Sequence, residues 1–85
     1  MNKYTEQIIA NLESQLTDVE RNYDSFLAEW ENQQSIRKAY EDGGKAIDRE
    51  YIEAGLSASA CFRKLEELHE ESCALFEAIR AIKNA

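Results

Sequence analysis

Apolar residues recur along the chain at alternating steps of three and four, which places them on one stripe of an α-helix. In the first half, the stripe consists of Ile9, Leu12, Leu16, Val19, Tyr23, Phe26 and Trp30. In the second half, it consists of Ile47, Tyr51, Ala54, Ala58, Cys61, Leu65, Leu68, Ser72, Leu75, Ile79 and Ile82, with Ser72 as its polar member. Because the repeat continues over several heptads, it predicts two long helices that pack like a coiled coil.

The segment between the two stripes predicts a turn. Gly43 and Gly44 lie there, and glycine adopts the left-handed backbone conformation that ends many helices. A hairpin that closes at these glycines places Leu12 opposite Leu75. We therefore predict an all-α fold, an antiparallel helical hairpin, with residues 1–85 as a single domain.

Polar residues support the predicted helix ends. Asn2 is a suitable N-cap for the first helix. Asp48 suits the N-terminal dipole of the second helix, and Arg80 and Lys83 suit its C-terminal end. The polar segment 31–35 leaves two interpretations of the first helix open: a continuous helix, which we favour, or a kink at that segment.

Further apolar residues lie beside the stripes and widen the apolar face. Ile8 and Leu27 flank the first stripe, and Phe62 and Phe76 flank the second. A single seam in so short a chain buries little apolar surface, and a wide apolar face calls for more than one neighbouring helix. We predict self-association as a homodimer or higher oligomer, most simply two hairpins in a four-helix bundle. The alternative is a three-helix fold that buries the aromatic residues within one chain.

Composition narrows the classes of partner. Ten basic residues against 17 acidic ones give a formal net charge of −7, so direct binding to nucleic acid is not expected, because phosphates need a positive surface. The sequence has no apolar run of the ~18 residues that a membrane span needs, and its first residues lack the pattern of a signal peptide. We expect a cytoplasmic protein without a membrane partner.

The two cysteines point the same way. Cys61 and Cys73 are twelve residues apart, and on one helix this spacing corresponds to ~18 Å. A disulfide needs Cα atoms within ~7 Å of each other. Two free thiols, and hence a reducing compartment, are expected.

Metal binding and catalysis find little support in the sequence. Glu66 and His69 have the Glu-x-x-His spacing of di-iron bundles, but Leu65 and Leu68 occupy the core stripe beside them. This arrangement turns Glu66 toward solvent. We therefore predict no metal, no cofactor and no enzymatic activity.

An acidic run on the second helix is the candidate surface for a partner protein. It consists of Glu66, Glu67, Glu70 and Glu71. The favoured interpretation is a small acidic interaction protein, an adaptor or inhibitor of the kind that phages and mobile elements encode. A solvated face without a partner, or a bundle within a larger assembly, are the other interpretations of the same pattern.

The turn-proximal end carries a different candidate site. Arg37, Tyr40, Lys45, Arg49 and Tyr51 combine bases with aromatic rings, which can pair with and stack on an anionic ring system such as a nucleotide. The alternative function is therefore a homo-oligomer that sequesters a small anionic ligand.

Overall fold

The computed structural model describes residues 2–44 and 47–85, and this part of the chain forms two long antiparallel helices. Helix α1 spans Lys3–Asp42 and helix α2 spans Arg49–Lys83. The helices pack against each other in a hairpin of 63 × 17 × 14 Å. The predicted all-α hairpin is confirmed, and α1 runs through residues 31–35 as one helix.

Capping groups define both ends of α1. The side-chain oxygen of Asn2 accepts a hydrogen bond from the backbone N–H of Thr5 at 2.7 Å, as predicted for an N-cap. At the other end, the N–H of Gly43 donates to the carbonyl of Ala39 at 3.0 Å. Gly44 has a φ of +63°, a left-handed conformation that favours glycine because it has no Cβ. Gly43 therefore makes the last backbone hydrogen bond of α1, and Gly44 is the left-handed residue that follows it.

Helix α2 begins later than the second stripe predicts. Asp48 is its N-cap, and its Oδ1 atom accepts from the backbone N–H of Tyr51 at 3.3 Å. Ile47 precedes this cap and is 71% exposed. The assignment of Ile47 to the buried stripe is therefore wrong, because helical spacing does not position a residue outside the helix. At the C-terminal end, Arg80 and Lys83 lie in the last turn as predicted.

The remaining stripe residues form the seam between the helices. Nine side chains are buried among the described residues: Ile9, Leu16, Val19, Ala54, Ala58, Cys61, Leu65, Leu68 and Ile79. The other members of both stripes are half-buried, including Ser72. The core is thin, because each helix has only one neighbour.

The open end of the hairpin is held by apolar and ionic contacts. Ile9, Leu16 and Ile79 form a buried cluster. Leu12 and Leu75 both pack against this cluster. An ion pair joins the last turn of α2 to α1, with Lys83 Nζ 3.3 Å from a carboxylate oxygen of Glu13.

Outside the seam, the surface of both helices is largely polar. Neither helix, over the residues described, has a stretch apolar and long enough to cross a membrane. Some large apolar side chains are nevertheless exposed: Tyr4, Ile8, Ile47, Ile52, Leu56, Phe62 and Phe76. Among these, Phe62 and Phe76 line surface depressions between the two helices.

Replacing a seam leucine tests the assignment of the core. Leu65→Ala or Leu68→Ala removes a buried side chain and should lower the free energy of unfolding by ~2–5 kcal/mol. Glu67→Ala alters an exposed residue of the same helix and should change it by less than ~0.5 kcal/mol. Urea unfolding followed by circular dichroism measures the free energy of unfolding of all three variants. Equal losses at the three positions would contradict the assignment of Leu65 and Leu68 to the buried seam.

Candidate functional site

Several surface depressions lie between the helices on one face of the hairpin. On α2, Phe62, His69 and Phe76 follow one another at steps of seven residues, and the same step relates Glu20 to Leu27 on α1. Steps of seven keep side chains on one face of a helix that packs in heptads. The two faces meet along one side of the seam, and we call the row of depressions between them the interhelix groove.

The interhelix groove consists of adjoining depressions. Two central ones, of about 480 and 310 Å³, share Tyr23 and His69 as lining residues. A third, of about 490 Å³, continues toward the turn, and a fourth, of about 440 Å³, lies toward the chain ends. The apolar lining residues of the groove are Leu16, Val19, Tyr23, Leu27, Trp30, Ala58, Phe62, Leu65, Leu68, Phe76 and Ile79.

Two phenylalanines distinguish this face from an ordinary solvated surface. Phe62 is 52% exposed and Phe76 is 54% exposed, so about half of each ring is in water. Trp30, which lies beside Ala58 and Ser59 at the turn end of the groove, is only half-buried. Aromatic rings that remain partly exposed beside the seam are what a further helix would cover.

Along the rim of the groove, most acidic residues lie at the centre and the basic residues lie toward the two ends. Four carboxylates line the central depressions, those of Glu20 and Asp24 on α1 and of Glu66 and Glu70 on α2. Basic residues line the two end depressions: Arg37 and Arg63 toward the turn, and Arg80 and Lys83 toward the chain ends. The centre of the groove therefore has four carboxylates around an apolar floor. Each end has two basic residues and one glutamate, which is Glu66 toward the turn and Glu13 toward the chain ends.

The histidine lies at the centre of the groove beside a thiol. His69 is exposed, and its Nε2 atom is 3.7 Å from the Sγ atom of Cys73 on the next turn. Cys61 and Cys73 are both free, and Cys61 is buried in the seam. Across residues 2–44 and 47–85, no three His, Cys, Asp or Glu side chains are arranged to hold a metal ion.

The acidic run predicted to bind a partner divides between two surfaces. Glu66 and Glu70 line the central groove. Glu67 and Glu71 are exposed elsewhere on α2, and a carboxylate oxygen of Glu67 lies 3.7 Å from Lys64 Nζ. Only half of the predicted set therefore borders an apolar surface that a partner could cover.

At the turn, aromatic and charged side chains join the helices. The rings of Tyr40 and Tyr51 pack edge to face with their centroids 6.0 Å apart. The Tyr40 hydroxyl oxygen lies 2.9 Å from a carboxylate oxygen of Glu50 and 3.1 Å from one of Asp48, so the two carboxylates share its single proton as acceptors. The Tyr51 hydroxyl donates to Glu41 at 2.9 Å. These contacts fix the two helices to each other next to the turn.

The structure describes four of the five predicted ligand-binding residues and brings three of them together. Arg37, Tyr40 and Tyr51 are brought together, with the guanidinium of Arg37 5.5 Å from the ring centroid of Tyr51. Arg49 points away and donates to Glu53 at 2.8 Å, whereas Lys45 lies outside the described residues. The carboxylates bound to the two tyrosines would repel an anion at this cluster. Binding of a small anionic ligand there stays a prediction.

Arg37 has one further property. Its Nη1 atom donates to Gln34 at 3.0 Å, but its Nε atom is buried without a hydrogen-bond partner among the described residues. Gly55 lies beneath it, since a Cβ added there would sit 3.7 Å from that Nε atom. A buried donor without an acceptor is costly, so this Nε atom adds an energetic cost at the turn end of the groove.

The sequence analysis did not identify the groove as a site, because its lining residues come from both helices and form no pattern within either one. Phe62, Phe76 and Leu27 were recognisable as apolar residues beside the stripes. Tyr23 and Trp30 were not, since they belong to the stripes themselves and their exposed edges depend on how the helices pack. The groove carries no sequence motif, and only a map of both helices on one register would have located it.

Comparison with known proteins adds no function. Neither a protein-family model, a curated protein nor a solved structure matches the chain. The proposals below therefore depend on the geometry and charge of the chain itself.

The Tyr40 cluster generates a prediction on pH. The hydrogen bond to Glu50, together with partial desolvation and Asp48, raises the pKa of Tyr40 from 10.0 to about 12. A raised pKa means that the folded state favours the protonated hydroxyl, so this stabilisation is complete below pH 10 and is lost as the pH rises through about 12. Tyr40→Phe should therefore be less stable than the wild type below pH 10, and the difference should shrink above it.

Urea midpoints of the two proteins between about pH 9 and about pH 12 measure this difference. Tyr4→Phe, which removes a hydroxyl from a tyrosine that is 76% exposed, serves as the control. A difference between Tyr40→Phe and the wild type that stays constant over the whole range would contradict the role assigned to Tyr40.

Proposed function

We propose that the chain is a non-enzymatic interaction protein, an adaptor or inhibitor, that binds a partner protein along the interhelix groove. The observation that carries the proposal is the half-exposure of Phe62 and Phe76 on the same face as the groove. Both rings border depressions with an apolar floor. A partner helix that lies in this channel would complete the packing that two helices leave unfinished.

The size of this face suits protein–protein recognition. The hairpin is 63 Å long and 17 Å wide, which accommodates the ~800 Å² that each partner contributes to a standard interface. Burying a phenylalanine side chain fully contributes ~1.5–3 kcal/mol relative to leaving it exposed. Aromatic anchors in a central pocket commonly dominate the affinity of such interfaces. Phe62 and Phe76 are the anchors in this proposal.

The layout of polar groups in the groove favours binding over catalysis. Its floor is apolar, while Glu20, Asp24, Glu66 and Glu70 lie along the rim. Catalysis needs an acid, a base or a nucleophile to converge on one reacting atom. His69 and Cys73 are neighbours on one helix that borders an open channel, and an open channel does not exclude water from a reaction.

Sequestration of a small anionic ligand is a second candidate. One observation favours it: the guanidinium of Arg37 lies 5.5 Å from the ring centroid of Tyr51, which packs against Tyr40, so a positive charge and two aromatic rings are brought together. Titration calorimetry against a panel of nucleotides separates the two functions. Heat of binding that disappears in Arg37→Gln would favour the ligand, and absence of heat across the panel would dismiss it.

Co-purification from the native host tests the interaction directly. The tagged wild type should elute with one partner at a fixed ratio by native mass spectrometry. Phe62→Ser should abolish that complex, because loss of an aromatic anchor costs ~2 kcal/mol or more in binding. The matched control is Leu56→Ser, which alters an apolar residue that is 68% exposed and is not among the lining residues of the groove.

Both variants change exposed residues, so both should retain the helical circular dichroism of the wild type. A complex that survives Phe62→Ser, or one that Leu56→Ser disrupts equally, would contradict binding in the groove.

A further inference from the structure

The charged residues along the interhelix groove favour a partner of complementary charge. We propose that the groove receives a partner's α-helix whose apolar stripe is flanked by lysine or arginine at its centre. This inference depends on the proposed function, since it takes the groove as the binding surface. It adds the kind of helix that the groove selects.

Spacing along α2 sets the length of the occupant. Phe62 and Phe76 are 14 residues apart, which corresponds to ~21 Å along a helix axis. A partner helix of about four turns covers both rings. Its apolar stripe would lie on the floor formed by Tyr23, Leu65 and Leu68, which line the central depressions between the two rings.

Charge complementarity selects basic flanks for that helix. On one side of the central groove lie Glu20 and Asp24, and on the other lie Glu66 and Glu70. A helix in the channel therefore has carboxylates on both of its flanks. Lysine or arginine on either side of its apolar stripe would pair with them, whereas glutamate would be repelled. Because each end of the groove has more basic than acidic residues, this preference for basic flanks is confined to the central turns of the occupant.

A second copy of the chain satisfies this pattern less well. Two hairpins that pack face to face with their groove centres aligned bring the same four carboxylates of each copy together. Each copy also carries a formal net charge of −7. Like charges across an interface oppose association, so the rim favours a basic partner over a copy of the chain itself.

Synthetic peptides of one length test the inference. Each is an 18-residue helix with a leucine stripe and without tryptophan. The first carries lysines on both flanks of its central turns, the second carries glutamates there, and the third has the lysines moved to its terminal turns and glutamines at its centre. Binding is read from the emission of Trp30, which is the only tryptophan of the chain and lines the groove.

The central-lysine peptide should bind at least about tenfold more tightly than the glutamate peptide at low salt, because both flanks are matched in one and repelled in the other. The isomer with terminal lysines has the same composition and should bind several-fold more weakly. These differences should largely disappear in ~1 M salt, where the Debye length is ~3 Å.

A pair of charge-neutralising variants assigns the effect to the rim. Glu20→Gln with Glu70→Gln removes one acid from each side of the groove and should weaken binding of the central-lysine peptide about fivefold. Asp18→Asn with Glu71→Gln removes the same charge from residues that line none of the groove depressions. This control should leave the affinity within about twofold of the wild type.

The outcomes separate the inference from the function on which it depends. Equal binding of all three peptides, lost in Phe62→Ser, would overturn the preference for basic flanks and keep the groove as a binding surface. A second result would also overturn the inference: none of the peptides binds, the wild type has the solution mass of a dimer, and Phe62→Ser is a monomer. The occupant of the groove would then be a second copy of the chain. No peptide binding to a monomer would contradict both.

Discussion

A helix that packs against one neighbour can bury only one side of its surface, and the whole structure follows from that constraint. The seam between α1 and α2 contains small residues such as Ala54 and Ala58, which let the helices approach closely. Apolar residues one position to the side of the seam stay partly in water. Phe62 and Phe76 occupy such positions, so the hairpin has an unfinished apolar face rather than a closed core.

Among the described residues, the hydrogen bonds and the ion pair that join the two helices lie toward the ends of the hairpin. Near the turn, the Tyr40 and Tyr51 hydroxyls bind carboxylates from the opposite side of the turn. At the open end, Lys83 pairs with Glu13. Between these ties the helices are held by apolar packing, and here the groove runs between acidic rims. The central part of the hairpin is therefore the part that a partner can complete without displacing existing hydrogen bonds.

Local rules predict the fold well and the candidate site less well. The heptad spacing and the pair Gly43 and Gly44 were sufficient to predict two helices and the position of the turn. Ile47 was misassigned because its spacing fits the stripe, whereas the cap at Asp48 starts the helix after it. The acidic run on α2 was read as one surface, although packing places only Glu66 and Glu70 beside the groove. Such facts depend on contacts between helices, which periodicity within one helix does not determine.

We propose that the face bearing Phe62 and Phe76 is where a partner protein binds. Hydroxyl-radical footprinting of the free chain and of the complex purified from its host tests this claim most directly, because it reports the exposure of individual side chains. If the partner covers this face, both phenylalanines lose reactivity in the complex, while Ile52 and Leu56 keep theirs. Protection of Ile52 and Leu56 with both phenylalanines still reactive would contradict it.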